Sequence, residues 1–186
     1  MGVFMSGVAF RVTQKNNWPD IKPRIEALFK GLEGLTDNLD SDGPGYGIVS
    51  PYGDMGMFLS ELPEKISALT GDYAVFATCC DSDFNLLELY CNGTQVEKSY
   101  VGRCFRDYGE MGDYRKPVLS NWLPLLADPK KERELKKALG KVWLFAENNL
   151  RHLSEATCLP IFDDGLVFGK KSEGRKSDPG GCPPSF

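Results

Sequence analysis

Residues 73–101 read YAVFATCC-DSDF-NLLELYC-NG-TQVEKSYV, and this stretch decides the fold. Tyr73, Val75, Phe76 and Thr78 are β-branched or aromatic. The run is apolar on both sides of its alternation, which suits a strand covered on both faces. Leu86, Leu87, Leu89, Tyr90 and Cys91 repeat the pattern. Asn92-Gly93 then sits where a two-residue turn needs positive φ at both central positions. Thr94–Val101 alternates Val96 against Glu97, then Lys98 and Tyr100, which predicts the most exposed of three antiparallel strands.

Around this meander the chain supplies further elements. Val8, Phe10 and Val12 share one face of a first strand within residues 3–14. Ile21, Ile25, Leu28, Phe29 and Leu32 recur at helical spacing. Asp20 is the expected cap of that helix, Pro23 falls in its first turn, and Gly34 is its expected end. A short strand is predicted at Tyr46–Ser50. Ser60 and Gly71 bracket a second helix whose inward residues are Leu62, Ile66 and Leu69. Trp122, Leu123, Leu125 and Leu126 open a helical region, and Pro129 opens a charged helix. A third segment, KVWLFAENNLRHLSEAT, sets Val142, Phe145, Ala146, Leu150 and Leu153 on one side. A last strand is expected at Gly165–Phe168. These elements predict an α+β fold: an antiparallel sheet of about five or six strands flanked by helices, a single layer pair. Residues 1–168 are expected to form one domain, and the Gly-, Pro- and Lys-rich residues 169–186 a flexible or extended tail.

Composition narrows the function classes. Of 186 residues, 41% are hydrophobic, enough for one sizeable core, and the net charge is −4. That charge argues against nucleic acid or an anionic membrane as main partner. No apolar run reaches the roughly 20 residues of a membrane span. The six cysteines, at 79, 80, 91, 104, 158 and 182, include no CxxC pair. Together with the lack of an export signal, this predicts reduced thiols in a cytoplasmic protein.

Candidate chemistry is sparse. The acidic loop TDNLDSDGPGYG (36–47) places Asn38, Asp40, Asp42 and Gly43 as in the start of a calcium loop, but Val49 stands where the bidentate Glu belongs. The lone histidine, His152, lies in a helix with no visible thiol partner. Asp81 and Asp83 follow an apolar strand, and a later IFDDG carries Asp163 and Asp164. This arrangement resembles haloacid-dehalogenase-like phosphatases, in which the first Asp is nucleophile, the second acid/base, and a late acidic pair binds metal. The resemblance implies a small Mg²⁺-assisted hydrolase with Asp81 and Asp83 catalytic and all four aspartates at the metal. Against it, Asn85 replaces a Thr or Val, about 80 residues precede the motif, and the meander is antiparallel.

A second resemblance covers residues 73–101 and 142–168. The segment CCDSDFNLLELYCNGTQVEKSY, followed by the helix VWLFAENNLRHLSEATCL, is similar to a DSD–strand–NG–strand hairpin in uncharacterised bacterial α+β proteins. It implies a small bacterial cytosolic protein and transfers no activity and no site residues. The sequence therefore favours a non-enzymatic interaction or regulatory protein, immunity-like, with no cofactor. Acidic stretches at 37–42 and 81–83 would steer a basic protein partner. The metal-assisted hydrolase is the alternative.

Overall fold

The computed structural model describes residues 5–13, 17–33, 35–40, 45–50, 59–81, 83–102, 113–141 and 145–162. Its centre is one antiparallel sheet of six strands: β1 (Met5–Arg11), β2 (Thr36–Asp37), β3 (Gly45–Ser50), β4 (Tyr73–Cys80), β5 (Phe84–Cys91) and β6 (Thr94–Gly102). The spatial order is β2-β3-β1-β4-β5-β6. The β4-β5-β6 meander is as the sequence predicts. Cys91 pairs with Thr94 across Asn92-Gly93, whose φ values are 49° and 75°.

Helices α1 (Trp18–Phe29) and α2 (Leu62–Thr70) lie on one side. Ile21, Ile25, Leu62 and Ile66 bury Val8, Phe10, Val12, Ala74 and Phe76. The opposite face carries α3 (Leu119–Trp122), α4 (Glu132–Gly140) and α5 (Glu147–Thr157). There Trp122, Leu135, Leu150 and Leu153 pack with Val75, Ala77, Leu87 and Leu89. Each face thus forms a layer pair with its own helices. This is why β4 is apolar on both sides of its alternation, since Ala74 and Phe76 serve one core and Val75 and Ala77 the other.

Helix boundaries differ from the sequence reading for local reasons. Helix α1 is capped by Asn17 and takes Pro19 in its first turn, so Asp20 lies inside that turn. It ends at Phe29, before Gly31 with φ 87°, and Gly34 lies outside the described residues. The N-cap of α2 is Glu61, not Ser60. Within the described residues the last helix spans only Glu147–Thr157, leaving Phe145 exposed rather than core-facing. The predicted strand 165–168 and the tail 169–186 lie outside the described residues.

One cysteine departs from the reduced state predicted. Cys158 is disulfide-bonded, whereas Cys79, Cys80 and Cys91 carry no disulfide. The sequence has no CxxC pair to mark a bridge in advance. Burial raises the Cys80 thiol to about 11, so it is an inert packing residue.

A half-buried ion pair fixes the end of β1. Arg11 donates to Asp72 through Nε and Nη2 at 3.2 and 3.1 Å. Thr13 Oγ1 and the Tyr73 N–H donate to the same carboxylate. Burial raises the Asp72 pKa, but the bonds from Arg11, Thr13 and Tyr73 outweigh it, and the net shift is downward. A depressed carboxylate stabilises the fold above its unfolded pKa of about 4, and the contribution is lost as pH falls through the lower folded value. Asp72→Asn is therefore expected to melt lower than wild type at pH 7. The difference should shrink in acid-dependent melts below about pH 4. A difference that grows toward low pH would contradict this.

Candidate functional site at the β6 rim

Two buried carboxylates flank the edge strand β6, one on each face of the sheet. Glu88 pairs with Lys98 and shares the α2 side with Phe76, while Glu97 opposes Leu89 and faces α3. Register separates them, because consecutive side chains on a strand point to opposite faces.

Glu88 is 4% exposed. Its Oε2 accepts from the Tyr90 hydroxyl at 2.8 Å and from Gln95 Nε2 at 3.0 Å. Its Oε1 accepts from the Tyr114 hydroxyl and lies 3.8 Å from Lys98 Nζ. Lys98 Nζ also stands 5.6 Å from the centroid of the Tyr114 ring. Burial first, and the Glu88 carboxylate second, hold both tyrosines above their ordinary range, so they remain neutral donors. The network ties Tyr114 to the sheet. The next residue continues the attachment: Arg115 N–H donates to Lys98 O at 3.1 Å, and Tyr100 N–H donates to Arg115 O at 2.9 Å.

Glu97 is 9% exposed and accepts four hydrogen bonds. Both carboxylate oxygens take the Val118 N–H, at 3.3 and 3.2 Å. Asn121 Nδ2 donates at 2.7 Å and the fully buried Trp122 Nε1 at 2.8 Å. Glu97 thus pins the segment from Val118 through α3 onto the sheet. The predicted alternation is reversed here, with Val96 exposed and Glu97 buried. The register shifts between Leu89 and Tyr90, which pair with Glu97 and Gln95, and Val96 is the extra residue of the bulge. The donors of α3 then claim the inward position for a carboxylate.

Between the two networks lies an open depression of about 270 Å³ lined by Gln95, Val96, Glu97, Lys98 and Asp113. Val96 is exposed in it, and Val118 and Leu123 are exposed on the adjoining segment that Glu97 holds through the Val118 N–H and Trp122 Nε1. The backbone itself is a poor docking edge. A bulge at Val96, the charge of Lys98 and the bridge from Arg115 to Ser99 all oppose addition of another strand.

The four aspartates singled out by sequence fare differently. Asp81 is an exposed turn residue with φ 49°, and Asp83 N–H donates to Cys80 O at 2.9 Å. Asp163 and Asp164 lie outside the described residues. Among the described residues, no group of three or more His, Cys, Asp or Glu side chains could hold a metal ion. If Asp81 serves only the turn, Asp81→Asn should shift stability by less than about 0.5 kcal/mol, because Asn tolerates left-handed backbone equally. Thermal melts with and without Mg²⁺ check this. A Mg²⁺-dependent rise in Tm lost on substitution would instead favour the hydrolase reading.

Other candidates are engaged locally. Asp40 pairs with Lys22, whose pKa is raised chiefly by that hydrogen bond, and Asp37 Oδ1 accepts the Leu39 N–H. Asn38 closes a turn with Gly47. Asp42, Gly43 and their neighbours lie outside the described residues. His152 Nδ1 is 3.1 Å from Glu155 on the same helix. The acidic stretches at 37–40 and 81–83 also do not form one surface. Asn38 is level with Gly47, Ala9 and Val75, six residues before Asp81 and three strands away from it. Register puts them about 20 Å apart along the strands and about 14 Å across them.

Glu88 and Glu97 were missed by sequence reasoning. A charged residue inside the apolar run FNLLELYC was the one available signal for Glu88, while nothing local linked Glu97 to Trp122, 25 positions on. No protein-family model, curated protein or solved structure matches the chain. Among the described residues, no helix is long and apolar enough to cross a membrane.

Proposed function

We propose that the chain is a non-enzymatic interaction or regulatory protein, immunity-like in that it works by covering a protein partner, and that the β6 rim is its contact surface. The observation that supports this is the exposure of Val96 in a depression lined with Gln95, Glu97, Lys98 and Asp113, beside a segment that Glu97 holds and that carries the exposed Val118 and Leu123. Fixed walls lower the ordering cost of association, and apolar side chains ringed by charge match the composition of recognition patches. The net charge of −4 would steer a basic partner.

Both carboxylates already accept several protein donors, which suits a scaffold better than a proton-transfer site. The cellular location follows the redox state of Cys158. Thiols are kept reduced in the cytoplasm, so the disulfide weighs toward an oxidising compartment.

Affinity capture from a cell extract tests the reading, using wild type, the double variant Val118→Asp/Leu123→Glu, and an exposed-helix control, Lys136→Glu. The expected result is a protein retained by wild type and control but lost with the double variant, at nearly unchanged Tm. Equal retention by all three would contradict the assignment of the rim.

A further inference from the structure

The depression at the β6 rim holds more negative charge than its one lining cation offsets. Glu97 and Asp113 line it together with Gln95, Val96 and Lys98. Glu97 is a buried carboxylate whose hydrogen bonds all come from uncharged donors, the Val118 N–H, Asn121 Nδ2 and Trp122 Nε1. Asp113 is exposed. Among the described residues, neither carboxylate is in an ion pair. Lys98 already stands 3.8 Å from Glu88, a third carboxylate. The neighbouring Arg115 donates to the Tyr114 carbonyl at 3.1 Å. A buried carboxylate is ordinarily matched by a counter-charge, so this place favours a cation brought from outside.

The remaining groups say which cation. Gln95 Nε2 donates to Glu88 Oε2 at 3.0 Å and to the Tyr90 hydroxyl at 2.6 Å, which fixes the amide and leaves Oε1 as an acceptor. The depression therefore offers the Asp113 carboxylate and Gln95 Oε1 beside the exposed Val96. A guanidinium has five donors and no acceptor, on an apolar stem that packs well on a valine. Lysine fits less well, because its ammonium is more strongly hydrated and protein interfaces are enriched in arginine and depleted in lysine. At about 270 Å³ the depression falls below the usual small-molecule range of roughly 300–1,000 Å³ and suits a single side chain.

We propose that the depression receives an arginine side chain of the protein partner, with its guanidinium on Asp113 and Gln95 Oε1 and its stem against Val96. This rests on the β6 rim being the contact surface and adds the chemistry of the partner's anchor.

The test follows backbone amide shifts of ¹⁵N-labelled protein titrated with the Nα-acetyl amides of arginine, lysine and citrulline. The expected result is saturable shifts at residues 94–98 and 113–115 with the arginine compound, weaker ones with lysine and none with uncharged citrulline. Asp113→Asn should weaken the arginine affinity about two- to fivefold, the worth of one exposed ion pair, and Asp113→Lys should abolish it. No shift at these residues, equal shifts from all three compounds, or shifts unchanged in Asp113→Lys would overturn the proposal. Affinity capture separates this from the rim reading itself. A protein lost with Val118→Asp/Leu123→Glu but fully retained by Asp113→Lys keeps the rim and removes the arginine anchor, whereas retention by both variants removes the rim.

Discussion

Replacing Glu97 by Ala is expected to cost about 3–5 kcal/mol, the range for leaving buried partners of a charged group unpaired. The truncation removes the acceptor for the Val118 N–H, Asn121 Nδ2 and Trp122 Nε1 together. Trp122 is fully buried in the core beneath α3, so its indole N–H has no route to solvent without displacing that helix. For a chain of this length the loss should lower Tm by roughly 6–20 °C. Glu97→Gln keeps one acceptor oxygen and should lose less. In the Glu97→Ala background, Trp122→Phe should cost less than it does in wild type, because its donor is already orphaned. Urea melts of the four variants give the coupling directly. Additive losses would show that the contact contributes nothing of its own.

Gly102→Ala is expected to cost roughly 2–4 kcal/mol through backbone strain and clash. Gly102 closes the β5–β6 pairing opposite Phe84 with φ 141°, a conformation that residues with a Cβ rarely adopt. An added Cβ would lie 2.5 Å from both Asp83 O and Phe84 Cα. These are backbone atoms and cannot swing aside, so β6 must separate from the start of β5. Gly140 is the control. A Cβ at that position, the end of α4, meets nothing within 4 Å, and Gly140→Ala should be neutral or stabilising by up to about 1 kcal/mol. Equal effects at the two glycines would refute the steric argument.

What the sequence made legible was local. The β4-β5-β6 meander could be read because two-sided apolar alternation and Asn92-Gly93 are short-range signals. The faces of α1 and α2 could be read because Ile21 and Ile25, or Leu62 and Ile66, recur at helical spacing. The rim could not. Glu97 looked like the solvent side of an alternating strand, and only the bulge at Val96 and donors 21 to 25 residues later turn it inward. The pairing of Ser99 with Arg115 is a long-range choice without a motif, and no motif marks Cys158 as disulfide-bonded. Conversely, Asp81 and Asp83 stood out because carboxylates after an apolar strand suggest metal chemistry, yet the same residues are what a tight β4–β5 turn requires.

The most direct test of the β6 rim as a contact surface is hydrogen–deuterium exchange on the chain alone and in complex with the protein it captures. Slowed exchange is expected to be confined to residues 94–98 and 113–123. Protection centred on 36–40 or on 81–83, with the rim unchanged, would contradict it and return the acidic turns as the contact surface.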